Sequence, residues 1–84
     1  MYWRLEHVGR EPLPAVCDLY QRGISLFGMS KTFSLPGLRI GWLATRDAAL
    51  MASFTTMKDY TTICNSAPSE ILALIALRAR DTII

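Results

Sequence analysis

The chain has 84 residues, 51% of them hydrophobic, and a formal net charge of +2 from nine basic and seven acidic side chains. That length is one small domain at most, and a charge so small and scattered excludes the basic stripe of a nucleic-acid binder. The longest apolar run, Ile71 to Leu77, is far too short to span a bilayer, so no membrane contact is expected.

A mean hydropathy of +0.25 is high for a small domain, whose surface should outweigh its interior. Two expectations account for it: an obligate oligomer, or a piece of a larger core. The second is favoured. An aromatic, strand-like Tyr2-Trp3 follows Met1 at once, and the chain stops on Thr82-Ile83-Ile84 without a helix stop signal. No basic, apolar, then small-residue order marks a secretory leader. Cys17 and Cys64 lie far apart without metal-ligand spacing and read as two buried free thiols, in keeping with a reducing, cytoplasmic setting.

In chain order, Tyr2–Leu5 reads as the end of a strand, and 6–13 as a polar connection punctuated by Gly9 and Pro12. Pro14 suits the first turn of a short helix through Ala15, Val16, Leu19 and Tyr20, stopped by Gly23. Ile24–Phe27 is a strand candidate. Residues 28–37, with two Gly, one Pro and three hydroxyl side chains, form a loop. Leu38–Ala44 reads as a second strand, broken by Gly41.

Thr45 or Asp47 is placed to cap a helix to about Lys58, with Leu50, Met51, Phe54 and Met57 at helical spacing. Residues 60–67 read as a connection. Ser66 then caps a last helix opened by Pro68, and its Ile71, Leu72 and Ile75, among alanines, make it apolar nearly all round. Such a helix is normally buried on several sides. Alternating strands and helices give an α/β class. Trp42, Met51, Phe54 and Met57 are expected as core, His7 as a surface residue, and Lys58-Asp59-Tyr60 as a solvated helix end.

The informative stretch is Gly28-Met29-Ser30-Lys31-Thr32-Phe33-Ser34-Leu35-Pro36-Gly37-Leu38-Arg39-Ile40-Gly41. A small residue, an apolar one and a small hydroxyl residue lead to a lysine. An arginine follows eight positions on, then an apolar residue and Gly. This pattern resembles the pyridoxal-phosphate (PLP) attachment signature of class I/II aminotransferases of fold type I. The resemblance implies that the chain, residues 1–84, is a fragment of the large PLP-binding domain, a mixed sheet flanked by helices that is incomplete here.

By that resemblance Lys31 is the Schiff-base lysine and the catalytic residue, and PLP is the cofactor. Lysine reacts with an aldehyde only as the free amine, so burial or a nearby positive charge is expected to favour that form. Arg39, on the next strand, is expected to supply that charge and to bind the phosphate with its planar fork. Tyr2 stands where the family often has the Tyr of an Asp-x-x-Tyr segment, reaching the ring oxygen of the cofactor. The Asp, which pairs with the pyridinium nitrogen, would precede Met1.

One departure is Gly28, where many relatives carry a Ser that contributes a hydroxyl to the phosphate. A backbone N–H replaces it, or Ser30 turns inward, or the phosphate is held less tightly. Asn65-Ser66 matches a region that approaches a neighbouring subunit's site in some relatives; helix capping explains it without that. The implied partners are an amino acid, a keto acid and a second copy of the subunit. Rival expectations are another fold type I reaction, such as that of a carbon–sulfur lyase, and the aminotransferase-like effector domain of a transcription regulator. The 84 residues alone are expected to be inactive.

Overall fold

In the computed structural model, which describes residues 1–84, the organising feature is one antiparallel pair of strands. Strand β1 (Ile24–Gly28) pairs with β2 (Gly41–Thr45) in a register that runs from Ile24↔Thr45 to Gly28↔Gly41. A single helical turn, α1 (Val16–Leu19), precedes β1. After β2 come α2 (Ala48–Thr61), α3 (Ala67–Arg78) and a terminal turn α4 (Arg80–Ile83). The α/β composition agrees with the sequence reading.

Two strand boundaries differ from expectation. Residues Tyr2–Leu5 form a turn instead of a strand: the Leu5 N–H donates to the Tyr2 carbonyl at 3.1 Å, and Arg4 adopts φ +61°. A strand needs a neighbour to take its backbone groups, and the two-stranded sheet holds only β1 and β2, so this segment pairs with itself. The second strand begins at Gly41 instead of Leu38. Pro36 opens a short 3-10 turn (Pro36–Leu38) that ends in a left-handed Arg39 at φ +54°, and only beyond it does the chain extend.

Helix α2 is capped by Asp47, whose carboxylate accepts the Leu50 N–H at 3.0 Å, worth about 1 kcal/mol. It runs past its expected end at Lys58 to Thr61. There the Lys58 ammonium donates to Thr62 Oγ1 and to Asn65 Oδ1, the latter at 3.4 Å, before Ile63 turns left-handed. Ser66 occupies the cap position of α3, with Pro68 in its first turn, but its hydroxyl makes no cap bond.

The core is small: 7 of 84 residues are buried, so most apolar side chains lie outside it. Met29 and Phe33, both in the β1–β2 connection, pack with Ala73 and Ala76 of α3, fringed by Phe27, Leu35, Leu38, Ile40 and Leu77. Helix α3 therefore buries its alanines alone, while Ile71, Leu72, Leu74 and Ile75 are exposed. The expectation of a helix buried on several sides is corrected on this point. Trp42 and Met57 are likewise exposed and Met51 and Phe54 only half-buried, so these residues are not the core. Cys17 is half-buried and Cys64 exposed in the turn after α2; both are free, but neither is the buried thiol expected. No helix is long and apolar enough to cross a membrane.

Candidate cofactor-attachment site

The strands are joined at their open end by the loop of residues 29–40, and its glycine base shapes it. At Gly41 a Cβ would come within 2.9 Å of the Phe27 carbonyl oxygen, and at Gly28 within 3.3 Å of the Ile40 carbonyl oxygen. A side chain at position 28 would need the Ile40 carbonyl to give by a few tenths of an ångström. The loop is closed by the Met29 N–H donating to the Ile40 carbonyl at 3.0 Å and the Leu35 N–H donating to the Met29 carbonyl at 2.9 Å.

Within the loop the Ser34 N–H donates to the Lys31 carbonyl at 2.9 Å, making a tight turn with Ser34 at φ +54°. Side chains on the two sides of Lys31 point into the core: Met29 is 0% exposed and Phe33 3%. Lys31 itself is exposed. A turn pinned by buried hydrophobes thus presents the lysine from a well-packed base, as a site on a loop requires. The desolvated pocket expected around Lys31 is not formed by these 84 residues.

Lys31 Nζ lies 5.8 Å from the centre of the Tyr2 ring, in range for a cation–π contact worth about 0.5–1 kcal/mol at an exposed site. Tyr2 is held by its neighbour Trp3, which packs edge-on against Phe27 at 6.2 Å, and Phe27 in turn stacks on Trp42 at 4.9 Å. Two of the three residues singled out from the sequence are therefore brought together. Arg39 sits in the same loop, exposed, with Nη1 donating to the Pro36 carbonyl at 3.1 Å. It precedes β2 instead of lying on it, and no hydrogen bond joins it to Lys31 or Tyr2.

Electrostatically this loop is a cationic region without counter-charge. Residues 19–46 contain no Asp or Glu. The ion pairs are elsewhere, Arg46–Asp18 at 3.8 Å and Arg80–Asp81 at 3.6 Å. Lys31 and Arg39 are left free to meet an anion.

Thr32 was not singled out from the sequence. Only 6% exposed, it donates its hydroxyl proton to the Trp3 carbonyl at 2.7 Å. Its partner is 29 residues away, so no local pattern reveals the bond. The main hollow, about 990 Å³, is open and mostly apolar, and Tyr2, Trp3, Phe27, Phe33 and Trp42 are among its lining residues. Tyr2 borders it; Lys31 and Arg39 do not. A smaller polar hollow of about 490 Å³ includes exposed His7 with Arg4, Glu6 and Asp81. No group of three or more His, Cys, Asp or Glu side chains is placed to hold a metal.

The loop thus presents a lysine 5.8 Å from an aromatic ring, together with a guanidinium that has no acidic partner. Residues 10–83 match the family described as aminotransferase class I and II, and the chain belongs to that family. Among curated proteins it is similar to capreomycidine synthase of Streptomyces vinaceus, 32% identical over 73 residues. The match covers 87% of this chain but 18% of that protein, so the chain spans about a fifth of its relative's length. No solved structure matches significantly. Family membership implies a PLP-dependent parent enzyme.

The donor set fits that cofactor. PLP presents an aldehyde, a phosphate and a ring oxygen. Lys31 offers a primary amino group, Arg39 a guanidinium with no acidic partner, and Tyr2 a phenol beside Lys31.

Proposed function

We propose that the chain is the cofactor-attachment segment of a PLP-dependent aminotransferase of fold type I, forming part of its large domain. The observation that carries this reading is Lys31 exposed on a packed turn, facing Tyr2, in a loop whose positive charges have no internal partner. Lys31 is the catalytic residue: its Nζ would hold the cofactor and would carry a proton to and from the substrate. Arg39 holds the phosphate, its planar donors suiting bidentate contact with phosphate oxygens. Tyr2 orients the ring through its hydroxyl and face. Bound PLP supplies the electron sink, and the protein supplies position and electrostatics.

The substrates are an amino acid and a keto acid, and the active unit is a homodimer working in the cytoplasm. The exposed apolar face of α3 supports a chain that functions within a larger body of protein.

The test is an assay of the intact protein with and without an acceptor keto acid. Keto-acid product formed only with the acceptor, and lost in Lys31→Ala, is the expected result. A second reading is another reaction of the same cofactor, as in a carbon–sulfur lyase. It is favoured by one observation, that the similar curated protein is named a synthase. Product formed without an acceptor would select it.

A further inference from the structure

Thr32 joins the two halves of the site. Its buried Oγ1 lies 2.7 Å from the Trp3 carbonyl and 3.4 Å from the Met1 carbonyl. A hydroxyl carries one proton, so the short contact takes the bond and the longer one adds little. The two carbonyls flank Tyr2, and the hydroxyl belongs to the neighbour of Lys31. One contact therefore ties the chain on both sides of the Tyr2–Lys31 pair, whose groups stand 5.8 Å apart.

Trp3 also packs on Phe27, but apolar packing is non-directional. It keeps the turn near the strand without fixing which residue of the turn faces Lys31. The hydrogen bond is directional and fixes that register.

We infer that Thr32 is a positioning residue, whose hydroxyl clamps the Met1–Trp3 turn so that the Tyr2 ring stays against Lys31 Nζ. This rests on the proposed roles of Lys31 and Tyr2. Without the hydroxyl, the Trp3 carbonyl turns to water and Tyr2 drifts from the lysine. Lys31 then loses the surface against which an aromatic cofactor is seated.

The chain has just two lysines, Lys31 and Lys58, and Lys58 serves as an internal reference. The cofactor-free intact protein is exposed briefly to PLP and reduced with borohydride, and incorporation at the two lysines is compared by peptide mass mapping. Thr32→Val is expected to lower incorporation at Lys31 relative to Lys58 about tenfold, the scale of one lost hydrogen bond. Thr32→Ser, which keeps the hydroxyl, stays within about twofold of the unmutated protein. Tyr2→Ala matches Thr32→Val, and the double variant is no worse than Tyr2→Ala alone, because residues acting through one contact are not additive.

Unchanged labelling in Thr32→Val, or additive losses in the double variant, overturns the inference. Absence of label at Lys31 in the unmutated protein instead overturns the underlying reading of the site. Should Thr32→Val fail to fold, the unmutated protein decides by NMR. Cross-relaxation between the Tyr2 ring and the Lys31 ε-methylene, and between the Thr32 methyl and Trp3, is expected; its absence overturns the clamp.

Discussion

The loop of residues 29–40 and helix α3 invert what their compositions suggest. The loop is rich in Gly, Pro and hydroxyl residues, yet it supplies Met29 and Phe33, the largest side chains of the core. Helix α3 is among the most apolar segments, yet it buries only Ala73 and Ala76. Burial follows geometry as well as hydrophobicity: a loop folded back on itself is surrounded, while a helix lying on one side of a thin body is touched along a single stripe. For function the consequence is direct. The segment that presents Lys31 is the segment most firmly packed.

Removing the presented group has the largest effect. Lys31→Ala is expected to abolish borohydride-fixed cofactor at this loop and Lys58→Ala to leave it intact, since Lys58 is engaged at the end of α2 with Thr62 and Asn65. Mass mapping of the reduced protein checks both.

The packing contrast is tested by urea unfolding of the 84-residue chain. Met29→Ala, at a position 0% exposed, is expected to cost about 2–5 kcal/mol. Ile71→Ala, at a position 60% exposed, is expected to cost within about 0.5 kcal/mol. Equal costs would erase the distinction between loop and helix.

Arg39→Ala is expected to weaken PLP binding by about 1.5–3 kcal/mol, the scale of hydrogen bonds to a charged group. Arg39→Lys recovers only part of it, because an ammonium lacks the planar fork. Titration followed by cofactor absorbance measures both. The smallest effect belongs to the helical side. Asp47→Ala removes the α2 cap and lowers stability by about 1 kcal/mol without changing cofactor affinity, read from thermal unfolding and the same titration.

The elements legible in the sequence were those with local causes. Ile24–Phe27 is a strand, Asp47 caps α2, and Pro68 opens α3, each from residues within one turn of the feature. The candidate site was read from local spacing too, because Lys31 and Arg39 stand along one loop. What the sequence hid depends on distant partners. Tyr2–Leu5 has strand chemistry but no strand to pair with. Arg39 leaves the expected strand because Pro36 starts a 3-10 turn. Thr32 looks like an ordinary loop hydroxyl until Trp3 arrives from 29 residues away. Hydropathy alone misassigned Trp42, Met57 and Cys64 to the interior, since a body with 7 buried residues has little interior to offer.

The most direct test of the account is to locate the attachment point. The intact protein is loaded with PLP, reduced with borohydride, digested and mapped by mass. The account predicts a pyridoxyl group on Lys31. A group on Lys58 in preference to Lys31, or none on this chain, would contradict it.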